Sequence, residues 1–409
     1  MIKATLSLCA ILLTIGLAST GCAATQDFDQ NLRAIVKPYD FNTVAWEIKT
    51  IPRELNQLIF GRHNKDADEV ELVTSHFAIV EQIRAIQAQI QTVSQGSQPG
   101  DLASLEAALN ALKEQRLASQ DEVEIILEKQ IKAVLAEQGI FSPLDSRLRI
   151  KINFPPVNFR LEKPPHLLVV SPRDRIESLR EIILRQDISP EEMAAIEAEV
   201  DKLGVSSLVV ELGGLGATYP SFVTNEASLG FTIDAACEEW LHQYLFFRPL
   251  GFLYALDLTG LAPDYEIATI NETIASMASK EIGALVYEKY YSADQAALQP
   301  SQEDLGFDFN QEMRDIRRQV DRYLAQGEIE LAEDFMEQKR QYLADNGYHI
   351  RKLNQAYFAF YGAYADSPTS ISPIGAELAE LRAQSASLKD FLDRAATITS
   401  RQQLQDMLK

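Results

Sequence analysis

The stretch S-S-L-V-V-E-L-G-G-L-G-A-T-Y-P-S-F-V, Ser206 to Val223, runs from an apolar β-branched segment into a glycine-rich bend, and C-E-E-W-L-H-Q-Y, Cys237 to Tyr244, follows shortly after. The first reads as a strand and a bend. The second reads as a buried helix, because Trp240, Leu241, Tyr244, Leu245, Phe246 and Phe247 make it apolar around a few charges. A strand feeding an apolar helix makes the chain mixed, and the flanking sequence decides in what proportion.

On the N-terminal side, R-L-R-I-K-I-N-F, V-N-F-R-L-E-K and H-L-L-V-V-S-P, starting at Arg147, are rich in Val, Ile and Phe and broken by Pro-Pro pairs, as strands are. Between them and Ser206 lies the helix S-P-E-E-M-A-A-I-E-A-E-V-D-K-L-G, with Ser189-Pro190 as cap and first-turn residue and Gly204 as its end. Farther upstream, Glu71 to Ser94 carries Val73, Phe77, Ile79, Val80, Ile83, Ile86 and Ile90 at helical spacing. A second helical pattern starts near Asp101 and ends on Gly139, so the two form a helical hairpin with charged, Gln-rich outer faces. Downstream, helical patterns cover Glu266 to Tyr291, Asn310 to Asn346, Arg351 to Tyr364 and Ile374 to Ala395. The expected class is α+β, helix-dominated, with one small mixed sheet and an N-terminal helical hairpin. The expected divisions are residues 1–22, 23–145, 146–300 and 301–409, with the main boundary near Ser142 to Ser146.

Residues 1–22 have the charged start, short apolar run (Leu6 to Leu17) and small-residue end of an export signal. Ser19-Thr20-Gly21-Cys22 resembles a bacterial lipobox without its usual aliphatic residue, so the protein is expected to be exported and held at the cell envelope by a lipid on Cys22. The alternative is a soluble secreted or periplasmic protein cleaved after Ala24. Cys237 alone remains in the body of the chain, which excludes an intramolecular disulfide framework. A formal net charge of −21 argues against a nucleic-acid partner. With 46% hydrophobic residues the chain has the material for a core and is not disordered. No tandem repeat, no G-x-S-x-G and no phosphate-loop spacing is present; Gly213-Gly214-Leu215-Gly216 reads as close backbone access.

Within the motif helix, Glu238 and His242 are four apart and project from one face, so both can reach one cation, while Glu239 points beside it. In H-E-x-x-H the first and fifth residues bind zinc, and the glutamate between them takes a proton from the water that attacks a carbonyl. A third ligand is available in N-E-T-I-A-S, Asn271 to Ser276, on a later apolar helix. Adjacent buried acids need a cation or partner to offset their desolvation.

The pair E-E-W-L-H and N-E-T-I-A-S resembles the gluzincin metallopeptidases, in which a helix bearing H-E-x-x-H precedes one bearing N-E-x-x-x-D or S. The glycine-rich segment before the motif helix is similar to the edge strand with which those enzymes bind extended peptide. The resemblance spans Val205 to roughly Leu285. It implies a zincin-like domain, one zinc ion held by Glu238, His242 and Glu272, Glu239 as general base, and Asn271 or Ser276 behind the ligands. It also implies a peptide or protein substrate. Glu238 departs from the family's histidine and makes the ligand set harder; the alternative it leaves open is a non-catalytic envelope lipoprotein that keeps the scaffold for binding or assembly. A di-iron bundle is disfavoured, because E-x-x-H occurs once, at Glu239 and His242. For a developing oxyanion, D-N-G-Y-H-I-R offers Tyr348, His349 and Arg351, with His349 the chosen donor. Beyond it, Asn354, Tyr357, Tyr361 and Tyr364 line one helix face, as core or as substrate wall.

Overall fold

Helices begin and end where the local chemistry sets them. The computed structural model of the protein describes residues 23–41, 66–94, 100–142, 154–292, 307–367 and 370–409. The export signal with Cys22, the R-L-R-I-K-I-N-F segment up to Asn153, and the boundary past Ser142 lie outside them.

Helix α1 (Ala23–Val36) leads, by a short 3-10 turn, to a bridge between Asp40 and the end of a strand at Leu184. Helices α2 (Asp66–Ser94) and α3 (Leu102–Glu137) form the expected hairpin. Asp101 caps α3 by accepting from Ala103 N at 3.1 Å. Val73, Phe77, Val80 and Ile83 of α2 and Val123, Leu127, Ile131 and Val134 of α3 are buried, and they join the same core as the motif helix and the C-terminal helices.

Two three-stranded sheets follow, where the sequence reading had one. In the first, β2 (His166–Pro172) lies between β3 (Arg180–Leu184) and β4 (Val205–Glu211), antiparallel to both. Its alternation decides the layers: Leu168 and Val170 face α1 and α4 (Pro190–Asp201), while Leu167 and Val169 face the other side. The α4 start carries a full capping box between Ser189 and Glu192. In the second sheet β1 (Phe159–Leu161) runs parallel to β6 (Ser221–Val223), and β6 pairs antiparallel with β5 (Gly214–Leu215). The chain changes sheets at Leu212-Gly213, inside the quoted stretch. The outer edge of β1 is satisfied by acids of α3: Leu161 N donates to Glu124 Oε1 at 2.8 Å and Phe159 N to Glu128 Oε1 at 3.3 Å.

The motif helix α5 (Leu229–Phe246), the short α6 (Pro249–Leu258) and the long α7 (Tyr265–Tyr291) form the centre of the large core. Beyond them the pattern Asn310 to Asn346 splits into α8 (Phe309–Ala325) and α9 (Ile329–Asp345), because Gly327 turns into the left-handed region at φ 76°. The pattern from Arg351 to Tyr364 shortens to α10 (Gln355–Tyr361). Asn354 caps it by accepting from Tyr357 N at 2.9 Å, and Arg351 and Lys352 are drawn out toward Glu197 and Asp201 on α4. The last pattern divides into α11 (Ile374–Ala383) and α12 (Leu388–Ala395), where Ser387 starts a new cap, and α13 (Arg401–Met407) follows. Helices hold 65% of the structure, so the class is α+β with helices dominant. Among the described residues no helix is long and apolar enough to cross a membrane.

Candidate metal centre

Helix α5 is oriented by its apolar face: Trp240, Leu241, Tyr244 and Leu245 are buried, and Trp240 Nε1 donates to Pro155 O at 2.8 Å. Helix α7 packs beside it through Ile267, Ile270 and Ile274. That packing brings the polar edges of the two helices together.

One ligand atom each of Glu238, His242 and Glu272 lies within 4.8 Å of the others. His242 Nε2 stands 3.6 Å from Glu272 Oε2, close to the edge of about 3.3 Å that a tetrahedron with bonds of about 2.0–2.1 Å requires. His242 Nδ1 meets Asn271 Oδ1 at 3.0 Å. An amide oxygen only accepts, so Nδ1 carries the proton and the neutral ring turns its Nε2 lone pair toward the carboxylates. Lone pairs facing each other repel, and this arrangement is stable with a cation between them or with a proton on the ring. Burial pulls the His242 pKa down, but Glu272, Glu239 and Glu238 outweigh it and leave the pKa raised.

Each of the three residues has its own neutral holder. Asn271 holds the imidazole. The Tyr254 hydroxyl, from α6, donates to Glu272 Oε1, and its ring stacks on His242 with centroids 5.7 Å apart. The Tyr364 hydroxyl, just past α10, bonds Glu238. Among the described residues no lysine or arginine hydrogen-bonds to Glu238, Glu239 or Glu272; Lys280, the cation whose charge is felt at Glu238, pairs with Asp366 at 2.6 Å. Side-chain exposure of 16% for His242 and 13% for Glu272 leaves room for water to arrive.

The charge density shows in the acids. Burial, with a smaller push from Glu272, lifts Glu238 to about 7 against the pull of His242. Burial lifts Glu239 to about 8, again opposed by His242 and aided by Glu238 and Glu272. Glu239 rests on the glycine-rich strand, where the Gly216 amide donates to its carboxylate. A Cβ on Gly216 would sit 2.8 Å from Glu239 Oε2, and one on Gly214 would collide with Oε1. Two further acids border the group: Glu181 on β3, lifted to about 7 mainly by burial, and Asp257 on α6, also raised by burial. The charge of Glu272 bears on both.

Sequence reasoning therefore placed Glu238, Glu239, His242 and Glu272 together, with Asn271 behind the imidazole. Ser276 instead donates to Asp366 Oδ2 at 2.9 Å. His349 is exposed on the loop between α9 and α10, and among the described residues no hydrogen bond joins it to these acids. Arg351 beside it is committed to Glu197 at 2.9 Å. The tyrosine row divides: Tyr357 and Tyr361 pack with tilted rings, centroids 4.5 Å apart, and Tyr364 leaves the helix to reach Glu238. Tyr254 and Glu181 went unread. Arg248-Pro249 is the start signal that would have found the helix of Tyr254. No protein-family model, curated protein or solved structure matches this chain.

Proposed function

We propose that the protein is a metallohydrolase, a zinc-dependent peptidase of gluzincin type, with Glu238, His242 and Glu272 as ligands and Glu239 as general base. The observation that carries this reading is the convergence of three ligand atoms, each held by a separate neutral partner, with no hydrogen-bonded cation among the described residues. Two carboxylates and one imidazole suit a divalent ion, and the Asn271 bond supports the tautomer that a ligand at Nε2 needs.

When bound, zinc would supply Lewis acidity that activates water and polarises a carbonyl. The chain's own residues account for the rest. Glu239, fixed by the Gly216 amide and ionised once a cation offsets the charge of Glu238 and Glu272 that raises its pKa, takes the proton of the attacking water and passes it to the leaving amine. Tyr254 keeps Oε1 of Glu272 occupied, which directs Oε2 at the shared point, and Tyr364 bonds Glu238 beside it. The edge strand β5 beside Glu239 supports an extended peptide as the substrate form. Export and lipid anchoring through Cys22 belong to the same proposal and rest on residues 1–22 alone.

A second reading has one observation in its favour. Glu238 stands where a histidine ligand is usual, and a protonated His242 at 3.6 Å from Glu272 would hold the acids without any metal; the protein would then be a binding module. Substituting Glu239→Gln separates the two. The metallohydrolase keeps its zinc and loses hydrolysis of a quenched fluorescent peptide mixture, whereas a wild-type protein that hydrolyses no peptide favours the binding module.

A further inference from the structure

Gln243 lies one turn after Glu239 on α5 and on the same face, and its side chain does not enter the ligand group. Its amide Nε2 instead meets three oxygens of the glycine-rich segment: Gly216 O at 3.1 Å, Thr218 O at 3.0 Å and Ser221 Oγ at 3.0 Å. Those three positions bracket the turn that joins β5 to β6. The same turn is tightened from within, since Thr218 Oγ1 donates to Pro220 O at 2.9 Å. One side chain on the motif helix thus fixes both ends of the segment whose Gly216 amide donates to Glu239.

The fit around Glu239 is close enough for that to matter. Gly214 and Gly216 leave no space for a Cβ against its carboxylate, so a small displacement of the strand relocates the carboxylate oxygens. Both peptide groups of Gly216 are held: its oxygen by Gln243 and its N–H by Glu239. Glu239 and Gln243 together clasp the strand.

We propose that Gln243 is a positioning residue for Glu239, acting through the turn from Gly216 to Ser221. This rests on the reading of Glu239 as the general base. The loss expected on removing such a support is about 10–100-fold in kcat, since misplacement of a reacting group by about 1 Å costs on that order, with KM and zinc content unchanged.

The test uses the full chain, glycine-labelled for NMR, with Gln243→Glu, which keeps the shape but loses the donor, and Gly216→Ala, which displaces Glu239 while leaving Gln243 intact. Glu239→Gln identifies the Gly216 amide resonance by moving it. The proposal expects Gln243→Glu to move that resonance as well. It also expects both Gln243→Glu and Gly216→Ala to lower kcat on the quenched peptide mixture with KM within about twofold and full zinc. A Gly216 resonance or a kcat at the wild-type value in Gln243→Glu overturns the proposal while the metallohydrolase reading stands. Should Gln243→Glu fail to fold, Gln243→Met, which also lacks the donor, is read by the same resonance and kcat, and wild-type values in both overturn the proposal. A wild-type protein without hydrolysis overturns the proposal together with the reading it rests on.

Discussion

Replacing Arg160 with methionine strands a buried carboxylate, and its cost can be worked from the contacts. Arg160 is 3% exposed; its Nη1 lies 2.5 Å from Glu124 Oε2 and its Nη2 lies 2.9 Å from Asp121 Oδ1. Glu124 is 1% exposed and keeps two neutral donors, Leu161 N at 2.8 Å and Gln120 Nε2 at 3.0 Å. Burial already holds the Glu124 pKa up at about 7 against the pull of Arg160, so the comparison is made at pH 8, where two neutral hydrogen bonds do not replace a guanidinium and the expected loss is about 3–5 kcal/mol, a large part of a typical total of about 5–15 kcal/mol. Removing both charges, in Arg160→Met with Glu124→Met, should restore much of the loss, because no unpaired charge remains buried. Urea denaturation followed by circular dichroism measures both, read as a shift in midpoint at constant slope. A loss under about 1 kcal/mol for Arg160→Met, or a double variant as costly as the sum of the singles, would refute the reasoning. The prediction reaches the site, since Arg160 pairs in register with Phe222 of β6, and β6 carries the strand under Glu239.

His76 gives a pH prediction. Buried between α2 and α3 and 2.8 Å from Ser119 Oγ, its pKa falls from 6.5 to about 4, first through burial and then through Arg116. Its contribution is therefore complete above pH 6.5 and is lost as pH falls through about 4, amounting to about 3 kcal/mol; His76→Gln should flatten that acid limb of a stability-against-pH curve. At the centre, Tyr254→Phe removes the hydroxyl that holds Glu272, so zinc affinity measured by chelator competition should fall about 10–100-fold with saturating stoichiometry unchanged.

Much of the candidate site was legible because helix periodicity alone puts Glu238 and His242 on one face, and an apolar helix around Asn271-Glu272 gives a second buried carrier. The hairpin was legible for the same reason, its Val73, Phe77, Val80 and Ile83 stripe being buried. Strand β3 was hidden: Arg180 and Glu181 interrupt its apolar alternation, with Arg180 paired to Asp29 of α1 at 3.0 Å, a partner far away in sequence. Helix breaks at Gly327 and Ser387 were blurred because apolar spacing continues across them. The two sheets could not be told from one, since pairing of β1 with β6 joins segments separated by β2, β3, α4, β4 and β5. The roles of Tyr254 and Tyr364 depend on where short helices end, and spacing does not fix that.

The central claim is that Glu238, His242 and Glu272 hold one divalent ion. Metal analysis of wild-type protein purified without chelator, beside His242→Ala, tests it most directly. The account predicts close to one zinc per wild-type chain, and a variant that folds with its zinc largely lost. A wild-type protein free of zinc, whose stability does not change when zinc is added, would contradict it.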